Sequence, residues 1–408
     1  MLNSNSRRST CHRNAPRRLA LLGASLLCGA AWAGPNDAVH PFVGLSYHYD
    51  DNLLRIADDA PAFDGAPGDT ARRAVAGVLF EQTYSRQKVY LLGKLSKVSF
   101  NRFERLDHDD KDFQARLDWQ IGKQFEGKAS ATYAQGLAPY ADFRTTERNL
   151  REIERQALEG AWRFHPSWRV RAGASGEQYT YELERLRVNN RESDTIELGG
   201  DYLAAGGSTV GLQLRRIDAR YPNGRAVGQI VFDDSFEQTE IKAKVVWRYS
   251  EKTQLTFLGG WVERRHARFG ERDTSGTNAR ADLNWAPREA LRLTGSAWRE
   301  FAAVESVLAN ASLSKGVSVD AVWDYSAKLK IDAGLRREKR DFRGLVVGLE
   351  GAALNDTSRY ASVGAAWTPT VGSNVRLATF HDARSGSPVF GNGDYSAKGV
   401  SLSASIQF

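Results

Sequence analysis

Residues 113–121 read FQARLDWQI. Phe113, Ala115, Leu117, Trp119 and Ile121 alternate with Gln114, Arg116, Asp118 and Gln120. A β-strand sends successive side chains to opposite faces, so this segment has one apolar and one charged face. The same period recurs. Ala279, Ala281, Leu283 and Trp285 alternate with Arg280, Asp282 and Asn284. Val317, Val319, Ala321 and Trp323 oppose Ser318, Asp320 and Val322, and Leu329, Ile331, Ala333 and Leu335 oppose Lys328, Lys330, Asp332, Gly334 and Arg336. The chain reads as all-β.

Short breaks separate many of these segments: 84–88 (YSRQK), 164–168, 204–208, 249–253, 286–290, 325–328 and 368–373. They alternate with longer polar stretches such as 50–70, 101–112, 183–193, 222–235, 267–277 and 343–357. A tryptophan precedes most of the short breaks, at Trp119, Trp162, Trp247, Trp285, Trp323 and Trp367, with Tyr202 in the one missing place. A hairpin of about 40 residues therefore repeats and presents an aromatic ring at constant height. An amphipathic ring at constant height suits the headgroup layer of a membrane, so these seven aromatics form a candidate girdle.

Eighteen strand centres can be placed, with 16 strands as the fallback if the weakly patterned regions near 94 and 158 are miscounted. The expected fold is a closed antiparallel up-and-down transmembrane β-barrel of about 18 strands, with short periplasmic turns and longer extracellular loops. Closure matters because an open sheet edge in lipid would strand backbone N–H and C=O groups. At this strand number side chains do not fill the interior, which leaves an aqueous lumen.

The chain has 408 residues and 26% are charged, which argues against a bundle of membrane helices but suits a barrel in which only alternate residues face lipid. Its 56 Lys and Arg exceed its 49 Asp and Glu. Arg7, Arg8, Arg13, Arg17 and Arg18 account for most of that excess, and residues 1–33 contain no acid. The Arg-rich start, the short apolar run from Leu19 to Ala30, and the small Ala31 and Ala33 predict a cleaved signal peptide over 1–33, with the barrel domain over 34–408. Without that leader the charge is nearly balanced, so nucleic acid is not an expected partner. Both cysteines, Cys11 and Cys28, lie in the leader, so neither a disulfide framework nor a thiolate metal site is expected in the barrel.

Toward the end of the chain Val400, Leu402, Ala404, Ile406 and Phe408 alternate with Gly399, Ser401, Ser403, Ser405 and Gln407. This strand resembles the terminal strand of bacterial outer-membrane barrels, which implies Phe408 as the signal read by the barrel assembly machinery. The expected location is the bacterial outer membrane, with its lipid as the first partner.

Several further motifs run in order over the barrel domain: DDNLLR (50–55), YSRQK (84–88), TTERN (145–149), RRIDARYPN (215–223), DDSFEQTE (233–240), RFGERDTSG (268–276), SAWREF (296–301) and REKRDFRG (337–344). Together they resemble the EpsL-type outer-membrane barrels of exosortase-associated exopolysaccharide biosynthesis loci. The resemblance implies a barrel that takes part in exopolysaccharide biosynthesis or export. It also implies extracellular polysaccharide and other export-complex proteins as partners, and it brings no catalytic residues. A general diffusion porin is the alternative. An outer-membrane enzyme acting on lipid or polysaccharide is a third reading, for which His48 beside Asp50 and Asp51 is the sole candidate; the protein is expected not to be an enzyme. The histidines are scattered, so no metal site and no cofactor are expected.

The strand phase predicts a lumen lined by Arg116, Asp118, Arg169, Arg171, Arg215, Glu240, Lys242, Lys244, Asp282, Arg292, Lys328, Lys330, Asp332, Arg336 and Arg376. Eleven of these fifteen are basic, and a basic wall favours anions. Trp168, Trp261 and Trp298 read equally well as lipid-facing or as lumen aromatics.

Overall fold

The computed structural model describes residues 38–57, 65–141, 145–227, 230–267, 270–303, 309–345, 354–386 and 394–408. The expected signal peptide and its cleavage lie outside the described residues. The first strands are β1 (Val39–Asp50), β2 (Asp69–Tyr84), β3 (Gln87–Phe100), β4 (His108–Ile121), β5 (Phe125–Leu137) and β6 (Leu150–His165). Then come β7 (Trp168–Tyr181), β8 (Arg191–Leu203), β9 (Thr209–Arg220) and a short hairpin of β10 (Arg225–Val227) and β11 (Ile230–Phe232). The chain continues through β12 (Phe236–Ser250), β13 (Thr253–Arg265), β14 (Thr274–Arg288), β15 (Leu291–Ala303) and β16 (Ala309–Asp324). It ends with β17 (Leu329–Leu345), β18 (Asn355–Trp367), β19 (Ser373–Gly386) and β20 (Tyr395–Gln407).

All strands except the β10–β11 hairpin belong to one 18-stranded antiparallel sheet. Each pairs with its sequence neighbour, β9 pairs with β12 past the hairpin, and β1 pairs with β20 to close the barrel. The regions near 94 and 158 are both strands, so the count is 18. Among the described residues the only helical elements are single short 3-10 turns at 104–106, 184–189 and 270–272.

The eight connections at the end of the barrel that holds Val39 and Gln407 have two to five residues, and those at the other end are longer except for the five residues between β15 and β16 and the turn within the β10–β11 hairpin. By the convention of such barrels the short-turn end is periplasmic. These tight turns need left-handed backbone at Gly122 (φ 61) and Gly372 (φ 80). At Gly372 a Cβ would also stand 2.6 Å from the Gln407 carbonyl oxygen, so no other residue fits there.

Among the described residues the barrel has no central apolar core. Its large apolar side chains point outward, as with Leu45, Ile196, Leu212 and Leu335, each at least 60% exposed to where lipid would lie. Buried apolar residues gather instead at the extracellular mouth, where Val98 and Phe100 of β3 pack with Leu54, Phe103, Leu106 and Tyr140 of three different loops. The described part of the long 50–70 connection joins this cluster. Strands of 12 to 17 residues, at about 3.4 Å per residue and about 40° tilt, outreach an apolar band of about 25 Å, so their upper ends stand above the lipid.

Candidate functional site: the lumen and its mouth

Paired residues on neighbouring strands share a face, so the register assigns each side chain a side. Arg116 and Asp118 of β4, Arg169 and Arg171 of β7, Arg215 of β9, and Glu240, Lys242 and Lys244 of β12 lie on the inward face. So do Asp282 of β14, Arg292 of β15, Lys330, Asp332 and Arg336 of β17, and Arg376 of β19. Lys328 does not. It sits in the periplasmic turn before β17, where its Nζ donates to the Pro369 carbonyl at 3.0 Å. The alternation continued one residue past the strand, which is why its phase looked right.

The basic excess on that face is smaller than the sequence subset suggested, because carboxylates from less regular segments complete the pairs. Asp201, fully buried, accepts from Arg169 (2.7 Å) and Arg171 (2.8 Å), which also reach Glu126 and Glu197. Arg292 meets Asp324 at 2.9 Å, Arg336 meets Glu338 at 2.5 Å, and Arg376 forks onto Asp332. Arg340 and Arg384 share Asp356. Lys244, by contrast, lies on the same face as Arg171 and Asp201, and no ion pair reaches it among the described residues.

A second cluster lies nearer the mouth. Glu240, Lys242, Gln238 and Arg264 are all at most 4% exposed. Lys242 Nζ donates to Glu240 Oε2 at 2.7 Å, Gln238 Nε2 to Glu240 Oε1 at 2.5 Å, and Arg264 Nε to Gln238 Oε1 at 2.9 Å. Glu177 is shared by Arg155 and Arg191. With Arg215 also turned to Glu240, four cations here share two carboxylates, and Arg264 reaches Glu240 only through Gln238. Arg264 stacks its guanidinium 3.9 Å from the Phe236 ring centroid, and its buried Nη1 has no hydrogen-bond partner. An unpaired buried guanidinium donor raises the site's preference for an anion.

All of these but Arg155 line a cavity of about 560 Å³ together with Trp298. Trp298 is in phase with Arg292 and Ser296 and pairs with Gly316, so it faces the lumen. Its Nε1 donates to Ser314 Oγ at 2.8 Å, and Arg336 lies 4.7 Å from its ring centroid, a cation–π contact. Trp168 and Trp261 face outward.

The DDNLLR motif forms a latch at the extracellular rim. Asp50 accepts from the Asn52 N–H and from Arg55, Arg55 also reaches Asp382 of β19, and Asn52 Nδ2 donates to the Ser396 carbonyl of β20. The Lys398 N–H donates to Asp51. His48 stacks on Phe380 (5.5 Å, 4° between planes), which in turn stacks on Tyr360. Asp50 is thus committed to the latch, and His48 meets an aromatic ring instead of a carboxylate. Other loops interlock over the mouth: Arg148 bonds Glu182 at 2.7 Å, and Arg384 of β19 donates to the Ala141 carbonyl from the far side of the barrel. Arg148 holds the Glu182 carboxyl below its ordinary range. Among the described residues no cluster could hold a metal ion.

Trp119, Trp162, Tyr202, Trp247, Trp285, Trp323 and Trp367 all face outward, within three residues of the periplasmic end of their strands. Neighbouring rings thicken this belt: Phe125 and Phe164 pack on Trp162, Trp168 on Tyr202, Tyr249 on Trp247 and Tyr325 on Trp323. Phe408 follows β20, and its N–H donates to the Pro41 carbonyl at 2.8 Å.

No protein-family model matches the chain, and no curated protein does. Among solved structures, the outer membrane protein OpdK from Pseudomonas aeruginosa is 11% identical with a TM-score of 0.47, over 91% of this chain and 99% of that one. OccK2 (OpdF) from the same organism is 10% identical with a TM-score of 0.49, over 91% and 98%. The siderophore receptor PirA from Acinetobacter baumannii is 8% identical with a TM-score of 0.46, over 91% and 81%. The strand order, the closure and the outward apolar face make the chain an outer-membrane β-barrel.

Proposed function

We propose that the barrel is a water-filled conduit serving exopolysaccharide production, through which saccharide chains reach the cell surface. One observation carries the reading beyond a generic pore. Motifs far apart in sequence converge on one cavity at the mouth: Arg215 from RRIDARYPN, Gln238 and Glu240 from DDSFEQTE, Trp298 from SAWREF and Glu338 from REKRDFRG. A set of residues from motifs that resemble those of the EpsL-type barrels thus gathers where a polymer would pass. The cavity offers what an acidic saccharide needs, an aromatic ring and an excess of guanidinium groups.

The test is a clean deletion scored for polymer outside the cell and polymer retained in the periplasm. Retention supports the conduit. Unchanged export with reduced uptake of small solutes would replace it with a general diffusion porin.

A further inference from the structure

On the outward face of β15–β18, cations stand directly opposite cations. Arg299 faces Lys315 across β15 and β16, Lys315 faces Lys339 across β16 and β17, and Arg337 faces Arg359 across β17 and β18. Like charges in direct cross-strand register are destabilising. Among the described residues Asp341 is the one carboxylate bonded within the group, 3.2 Å from Lys315 and 3.7 Å from Lys339. Several other cations of the outer wall are matched: Arg216 with Asp218 and Glu237, Arg220 with Asp194, Arg265 with Glu263.

Below these cations the wall is hollow. Ala279, Ala281, Ala297 and Val317 form an apolar depression of about 560 Å³ whose upper edge is Arg299, Lys315, Arg337 and Lys339. Its depth in the membrane follows from β16. Lys315 is eight residues above Trp323 of the periplasmic belt, which is about 27 Å along the strand and about 21 Å along the normal at about 40° tilt. With an apolar band of about 25 Å, the cations fall at the outer-leaflet headgroup boundary, where charged side chains cost little.

We propose that this face binds a bisphosphorylated lipid of the outer leaflet, of the lipid A type, with an acyl chain in the alanine-floored hollow and phosphates on Arg299, Lys315, Arg337 and Lys339. Among the described residues five cations against one carboxylate leave four positive charges. Two phosphomonoesters supply about three to four negative ones. A single phosphodiester supplies one and leaves the cross-strand repulsion largely in place. The hollow explains why the charges are set on this arc of the barrel, since a lipid anchored there loses no packing against bulky side chains.

Native mass spectrometry of the full-length protein in mild detergent tests this, with titration by bisphosphorylated lipid A, the same lipid stripped of its phosphates, and phosphatidylglycerol. Bound lipid A should survive at concentrations at least tenfold lower than either comparator. Lys315→Gln with Lys339→Gln should weaken it tenfold or more, whereas the inward Lys244→Gln should leave it unchanged. Equal binding of the phosphate-free lipid, or full binding by the double variant, would overturn the site. Phosphatidylglycerol binding as tightly as lipid A would overturn the two-phosphate assignment. The comparison of the three lipids on the wild-type protein decides the matter even where a variant fails to fold.

Discussion

Replacing Asp201 by Ala removes the carboxylate on which two lumen arginines converge. Its oxygens receive four bonds, from Arg169 Nε and Nη2 (3.1 and 2.7 Å) and from Arg171 Nε and Nη2 (2.8 and 3.2 Å). Bonds to charged groups contribute about 1.5–3 kcal/mol each, so a naive sum reaches about 6–12 kcal/mol. Two features lower it. Glu126 still holds Arg169 at 3.0 Å and Glu197 still holds Arg171 at 3.2 Å, so neither guanidinium is orphaned. Both arginines also keep a sixth to a fifth of their side-chain surface open, so water takes over part of the lost solvation. The expected loss is therefore about 3 kcal/mol, the low end for breaking a buried pair. Urea unfolding in lipid vesicles, followed by tryptophan fluorescence and heat-modifiable mobility, measures it. Asp201→Asn keeps one acceptor oxygen and should lose less. A loss under about 1 kcal/mol for Asp201→Ala, the value of an exposed pair, would refute the claim that this cluster is a structural element of the wall.

Lys244→Glu should move the reversal potential in planar bilayers toward cations, with a shift that shrinks in 1 M salt where the Debye length is about 3 Å; Lys328→Glu, in the turn, should move it much less. Deleting Phe408 should impair outer-membrane assembly, seen as loss of the heat-modifiable band, because the residue's N–H joins the base of the β1–β20 seam. Arg55→Ala should leave the barrel assembled but speed proteolysis within 51–57, since it frees Asp50 and Asp382 together. Glu182, whose carboxyl is held low by Arg148, contributes stability that is complete above its unfolded value of about 4.3 and is lost as pH falls through the lower folded value. The protection of the Leu150 amide against exchange, relative to its intrinsic rate at each pH, should therefore fall below about pH 4, since its N–H donates to Glu182.

The period-two pattern made the strands legible wherever one face meets lipid and the other water. It weakened in β6, where the outward Glu152, Glu154 and Gln156 sit opposite the inward Arg151, Ile153 and Arg155 in phase. That half of the strand stands above the bilayer, so neither face needs to be apolar. The lumen arginines were legible from phase alone, but their partners were not. Asp201 meets Arg169 only through the β7–β8 register, which no local pattern specifies. Trp298 was open to two readings because tryptophan is common at lipid interfaces; counting phase from Arg292 and Ser296 would have placed it inside. The mouth cluster was visible as motifs, and only closure of the barrel brings β9, β12, β15 and β17 around one cavity.

The β1–β20 seam has a bearing on how the molecule is made. Each other barrel strand can zip onto a neighbour only tens of residues away, whereas Phe42–Asp50 must find Gly399–Gln407 across almost the whole chain. Pairing of such high sequence separation is slow, because the entropy of closing the largest loop precedes any reward. It is also the place where thermal unzipping has least to break, since β1 runs along β20 over fewer residues than along β2. The rim latch spans that same junction, with Asn52 on Ser396, Asp51 on Lys398 and Arg55 on Asp382. Those contacts form only once the last strand has docked, so they slow reopening without slowing the search that precedes it, and the lifetime of the closed barrel is set at its final joint.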